Sequence, residues 1–137
     1  MKEQKLTFPS TSDSLHVVEK LIDEVCAERH LDDDYYGNIL VAVTEAVNNA
    51  INHGNKQDPG KTVTLNFTEH DNHSLKFKIT DQGEGFDFEN IPDPTNPENI
   101  EKLNGRGVFL MKQLSDEVSF DDKGRVVELS FKLAQHA

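Results

Sequence analysis

Two pairs of alternating apolar runs, each joined by a short polar turn, constrain this chain more than any other feature. Val63/Leu65/Phe67 and Leu75/Phe77/Ile79 flank His70-Asp71-Asn72-His73, while Val118/Phe120 and Val127/Leu129/Phe131/Leu133 flank Asp121-Asp122-Lys123-Gly124. Period-two alternation on both sides of a turn predicts an antiparallel hairpin with one buried face. Leu6 and Phe8, ahead of Pro9, predict a short opening strand. A sheet with one apolar face must bury it against another layer. Stripes at helical period supply that layer. Leu15, Val18, Ile22, Val25 and Cys26 predict a first helix to about Arg29, entered through the N-cap candidates Ser10 to Ser14. Ile39, Leu40, Val43, Ala46, Val47, Ala50 and Ile51 predict a second, started by Asp32-Asp33-Asp34 and stopped by Gly54. A short third helix is expected over Val108 to Leu114. Paired strands with helices set apart define an α+β two-layer sandwich, one domain over 1–137.

Composition narrows the partners. Against 25 acidic residues stand 14 Lys and Arg, a net charge of -11. A field of that sign repels phosphate backbones and anionic lipid, so neither nucleic acid nor membrane is an expected partner. The start MKEQKLTF has no apolar signal region, and no run reaches the roughly 18 apolar residues of a membrane span. The expectation is a soluble, cytoplasmic protein. The single cysteine, Cys26, excludes an internal disulfide and falls inside the first apolar stripe, as a small buried hydrophobe would.

Three places carry chemistry. On the second helix Asn38, Ala42, Glu45, Asn49 and Asn52 are spaced 4, 3, 4 and 3, forming one line opposite the apolar stripe. Asparagine is a poor helix former, and this line holds one acid and no base, so it reads as a cavity wall as well as a solvated face. A carboxylate one turn from an amide oxygen sets a base beside a neutral ligand for a hard cation. Asp81-Gln82-Gly83-Glu84-Gly85 follows the strand ending at Ile79. It reads either as a plain turn or as a buried acceptor for an exocyclic amine, with glycines that allow close approach. Gly105-Arg106-Gly107-Val108 stands where loop becomes helix, either as a cap or as a cradle whose backbone N–H groups bind phosphate. Residues 81 to 107, with Pro92, Pro94 and Pro97, are long for a loop and suit a lid at about 86–104. No P-loop motif occurs. Base, metal ligand, amine acceptor, lid and phosphate cradle together meet every need of a magnesium nucleotide. Nucleotide binding is the reading.

At these residues the chain resembles the GHKL (Bergerat) ATP-binding fold of gyrase, histidine kinases and mismatch-repair ATPases. Thr44 to Gly54 looks like its asparagine box, Asp81 to Gly85 like its first glycine box, and Gly105 to Met111 like its second. The resemblance implies a mixed, mostly antiparallel sheet with helices on one face and an ATP lid. Within the family the likeness is strongest to anti-sigma regulatory factors that are serine-protein kinases, whose E-A-x-x-N-A-x-x-H-G stands here from Glu45 to Gly54. It implies Glu45 as general base, Asn49 as magnesium and nucleotide ligand, and Asp81 as adenine acceptor. Gly83 and Gly85 would shape the pocket, and Gly105, Gly107 and Val108 would line the phosphates. Arg106 would touch a phosphate or face a protein partner, and His53 would pack beneath the site or contact ligand. Where the family often has Gly-Thr in the closing hairpin, this chain has Gly124-Arg125-Val126.

The implied function is an anti-sigma factor that sequesters a sigma factor. With ATP and magnesium it would phosphorylate Ser or Thr of an anti-anti-sigma (STAS-type) protein, acting as a homodimer. The alternatives are a non-catalytic ATP-gated partner-binding switch and an orphan histidine-kinase-like ATPase domain.

Overall fold

The computed structural model describes residues 2–70, 73–83, 103–122 and 125–133. The lid expected at about 86–104 therefore lies largely outside the described residues, as does Gly85. Five strands form one sheet: β1 (Lys2–Pro9), β2 (Thr62–His70), β3 (Ser74–Thr80), β4 (Glu117–Asp121) and β5 (Val126–Lys132). Among the described residues three α-helices accompany them: α1 (Leu15–Glu28), α2 (Asp33–Asn49) and α3 (Leu103–Leu114). Both hairpins and the opening strand form as the alternation predicts, with Leu65 opposite Ile79 and Phe67 opposite Phe77 in the first, and Val118 opposite Leu129 in the second.

The strand order is β1-β2-β3-β5-β4. A mixed sheet was expected, but all four described pairings are antiparallel. The reason is topological. The second hairpin places its return strand, β5, against β3, so β3 and β4 run the same way without touching. The chain between them is a crossover that carries α3 over the sheet, as same-direction strands require.

Burial alternates along β2 and β3, so Val63, Leu65, Phe67, Leu75, Phe77 and Ile79 join Leu129 and Phe131 on one buried face. Phe77 is the centre of that layer, with ring centroids 5.1 Å from Phe67 and 5.9 Å from Phe131. Helix α1 contributes Val18, Leu21, Ile22, Val25 and the buried, free Cys26. Burial, with a smaller push from Asp23, raises the Cys26 thiol to about 11, which keeps it protonated and unreactive. Arg29, at the end of α1, pairs with Glu69 of β2 and lies over the Phe67 ring, tying the helix layer to the sheet.

Helix α2 is the central element, packed against α1 on one side and α3 on the other. Asp32 caps it by accepting the Tyr35 N–H at 3.0 Å, and Asp33 and Asp34 lie in its first turn, where carboxylates complement the helix dipole. The helix continues to Gly54 as expected, but Ala50–Gly54 is a π-turn. The Asn55 N–H accordingly reaches back to the Ala50 carbonyl at 2.8 Å. Such turns widen a helix locally and are frequent at functional sites.

Candidate nucleotide site

The polar line on α2 does not behave as one face. Ala42 is fully buried and belongs to the core, which corrects its placement opposite the apolar stripe: α3 packs over this side of α2 and excludes water from it. Asn38 is exposed at the far end. Asn52 is occupied, its Oδ1 accepting from Gln57 Nε2 at 2.8 Å and so steadying a residue whose φ is 59°. Glu45 and Asn49, both half-buried, remain between them.

Gly107 determines what these two face. A Cβ on Gly107 would lie 3.0 Å from Asn49 Nδ2, 3.1 Å from its Oδ1 and 3.2 Å from Glu45 Oε2. Carboxylate and carboxamide thus converge on one point of the α3 backbone. Asn49 Nδ2 is buried and lacks a hydrogen-bond partner among the described residues. An orphaned buried polar atom costs about 1–3 kcal/mol, so its persistence here points to a ligand that satisfies it.

Helix α3 begins at Leu103, five residues before the expected start at Val108. Gly105 and Gly107 are therefore inside the helix. Gly105 falls among the first residues, whose N–H groups have no partner within the helix, but the N–H of Gly107 is one turn in and pairs back along the helix. What Gly107 supplies is close approach of α3 to Glu45 and Asn49. Two glycines cost about 2 kcal/mol of helix propensity together, which is why the sequence pattern starts the helix late and tertiary packing overrides it. Val108 is buried in the core.

Asp81 lies directly beyond β3 and is buried. Its Oδ1 accepts the Gly83 N–H at 2.8 Å, and its own N–H donates to the Arg125 carbonyl at 2.9 Å. Burial raises the carboxyl pKa, and the Gly83 bond and the Arg125 guanidinium act against that rise. Gly54 and Gly83 meet in tight contact, since a Cβ on Gly83 would overlap the Gly54 carbonyl and one on Gly54 would overlap the Asp81 carboxylate. The asparagine box and the first glycine box are therefore pressed together through glycine backbones.

Asp81 and Asn49 line one narrow, partly open pocket with Ala46, Ala50, Gly54, Ile79, Met111, Phe120 and Val127. Its walls are mostly apolar and its polar groups few. His53, at the π-turn, is half-buried, and burial lowers its pKa. The side chain of Arg106 lies outside what the structure describes.

Three supporting residues escaped the sequence reading. Asn55 is fully buried, donating to Ser10 Oγ at 2.7 Å and the Thr62 carbonyl at 3.0 Å, and accepting the Gln82 N–H at 2.7 Å. Gln82 in turn accepts the Thr62 N–H at 2.7 Å. Arg125 donates through Nε to the Gly83 carbonyl at 2.5 Å. Asn55 and Gln82 sit in polar stretches with no periodicity, so no signal marks them. Arg125 is marked only by its departure from the Gly-Thr pattern.

The layered α+β arrangement, with Asn49 and the strand-end Asp81 lining one pocket and Glu45 beside Asn49 at Gly107, matches the GHKL type of ATPase domain. The chain belongs to the family described as histidine kinase-like ATPase domain, whose profile matches residues 8–131. Among curated proteins it is similar to the serine-protein kinase RsbW of Oceanobacillus iheyensis, with 33% identity over 105 residues, 72% of this chain and 66% of that protein. It is also similar to the serine-protein kinase RsbW of Staphylococcus aureus, with 26% identity over 133 residues, 92% of this chain and 84% of that protein. Among solved structures, a crystal structure of the RsbU and RsbW domains of a Mycobacterium tuberculosis protein superposes with a TM-score of 0.68 at 18% identity, over 100% of this chain and 34% of the other. That last likeness is one of fold.

Proposed function

We propose that this chain is an ATP-dependent serine-protein kinase and anti-sigma factor. It would hold a sigma factor and phosphorylate a serine or threonine of an anti-anti-sigma, STAS-type protein. The observation that carries the reading is the convergence of Glu45 and Asn49 at Gly107 in a helix pair that also walls the pocket containing Asp81. The serine-protein kinase relatives support the reaction class.

In this reading adenine enters the apolar part of the pocket and donates its amine to Asp81, while the phosphates extend toward Asn49 and the first turn of α3. Gly105, in that turn, offers a backbone N–H to phosphate; Gly107 and Val108 hold the helix against α2. The donor set suits magnesium: the Asn49 carboxamide oxygen is a hard neutral ligand, and phosphate oxygens and water would complete its shell. Magnesium, when bound, neutralises charge on the transferring phosphate. Glu45 accepts the proton of the attacking hydroxyl as its oxygen bonds to the γ-phosphorus and ADP departs. Little covalent work falls to the protein; alignment and electrostatics supply the acceleration. By the same motif resemblance Gly85 shapes the pocket, Arg106 touches a phosphate or faces a protein partner, and the stretch at about 86–104 is the lid. The domain would act in the cytoplasm as a homodimer, with no nucleic acid or membrane partner. Among the described residues no helix is long and apolar enough to cross a membrane.

Glu45→Ala is the test. With Mg-ATP and a STAS-type partner, the variant loses phosphate transfer while its ATP affinity stays within about twofold of wild type, a change of about 0.4 kcal/mol. Normal transfer by Glu45→Ala would remove the kinase role from that residue and favour an ATP-gated switch.

A further inference from the structure

Among the described residues, Arg125 of the β4–β5 turn reaches the adenine side of the pocket at two points and makes a third bond within the turn. Its carbonyl accepts the Asp81 N–H at 2.9 Å. Its Nε donates to the Gly83 carbonyl at 2.5 Å, and its Nη1 donates to Asp122 Oδ1 at 3.1 Å within the turn. Asp81 itself receives the Gly83 N–H at 2.8 Å. Gly83 is thus held on its N–H side by the Asp81 carboxylate and on its C=O side by Arg125, with Gly54 pressed against it. Arg125 lies just outside the β4–β5 ladder, which pairs Glu117 with Ser130 through Asp121 with Val126.

We propose that Arg125 is a positioning residue for nucleobase choice: it holds Asp81 and Gly83 in place and keeps the Asp81 carboxylate an acceptor, so the pocket takes 6-aminopurine over 6-oxopurine nucleotides. The inference rests on the reading of Asp81 as the amine acceptor. A carboxylate accepts hydrogen bonds only, which suits an exocyclic amine and disfavours an exocyclic carbonyl oxygen; a protonated carboxyl can donate and loses that discrimination. Burial of Asp81 drives toward the protonated form. Of the charges acting on it, Arg125 from the β4–β5 turn and Lys61 from the segment before β2 oppose protonation, and Asp122 from the same turn promotes it. The π-turn meets the carboxylate through Gly54, which brings no charge. Arg125 is the one that also bonds the segment directly.

The test measures affinity for ATP and for GTP from acid to mildly alkaline pH, on wild type, Arg125→Gln, Asp122→Asn and Asp81→Asn. Using the ratio of the two affinities cancels titration of the phosphates. In wild type the ratio falls as Asp81 protonates. In Arg125→Gln the ATP affinity drops on the order of tenfold, as expected for one charge-assisted hydrogen bond, and the fall in the ratio moves to higher pH. In Asp122→Asn, at an exposed turn position with φ of 47° that asparagine tolerates, it moves to lower pH. General loosening cannot move one titration in opposite directions. An unmoved ratio profile in Arg125→Gln overturns the proposal, and one unmoved in Asp122→Asn does so even if Arg125→Gln is too unstable to assay. Asp81→Asn separates the two levels: a flat ratio keeps the adenine reading, whereas a wild-type profile removes that reading, and the role of Arg125 with it.

Discussion

Gly54 and Gly83 are in backbone contact, while Gly107 only faces side-chain ends, and the two situations respond differently to one added methyl group. In Gly83→Ala the Cβ meets the Gly54 carbonyl, and a backbone atom cannot rotate away. Overpacking of this kind costs about 1–3 kcal/mol, so the urea midpoint falls and ATP binding is lost together. In Gly107→Ala the Cβ arrives 3.0–3.2 Å from the tips of Asn49 and Glu45, which can swing aside, and alanine returns about 1 kcal/mol of helix propensity. Its stability stays within about 1 kcal/mol of wild type, but phosphate transfer falls because the displaced groups are the proposed base and metal ligand. Urea denaturation alongside a transfer assay checks both. Loss of stability in Gly107→Ala equal to that in Gly83→Ala would contradict the distinction. The placement of Glu45 and Asn49 on one helix side and of Asp81 at a strand end was legible, because helical spacing and the end of an alternating run specify both. Asn55 and Arg125 were not: each acts through bonds to residues far along the chain, which periodicity cannot encode.

Among the elements, α2 carries the site and also an apparent defect. Gly37 stands in its first half with nothing within 4 Å of where a Cβ would project. Neither close packing nor a left-handed backbone accounts for it. Gly37→Ala is expected to raise stability by about 0.5–1 kcal/mol through reduced unfolded-state entropy, leaving ATP affinity unchanged. A thermal melt with calorimetric ATP titration checks this; weaker ATP binding would mean the helix needs to flex at Gly37. The end of α2 was legible only as an end. Gly54 marks it, but the π-turn over Ala50–Gly54 depends on the Asn55 network that draws the last turn toward Ser10, Thr62 and Gln82. The early start of α3 was hidden for the opposite reason: local propensity argues against the helix, and only contact with α2 reveals it.

For the whole molecule, the hairpins were legible and their order in the sheet was not. Alternation pairs neighbouring strands, but the placement of β5 between β3 and β4 is decided by where the crossover lands. That crossover brings the β4–β5 turn to the end of β3, so Asp81 and Arg125 meet although 44 residues separate them. The same scale governs how nucleotide arrives. The chain carries a net charge of -11, and Mg-ATP is itself an anion, so the long-range field opposes the encounter. Binding must then depend on contacts inside the pocket, and screening should help it. Raising ionic strength from about 0.01 M to about 0.15 M shortens the Debye length from about 30 Å to about 8 Å, which removes distant repulsion but spares contacts at hydrogen-bond range. The association rate of a fluorescent ATP analogue, followed by stopped flow with magnesium saturating, should therefore rise with salt while its dissociation rate changes little. A basic nucleotide-binding surface gives the opposite slope. A rate that falls with salt here would mean that a local positive field, from Lys and Arg around the mouth, outweighs the acidic remainder of the protein.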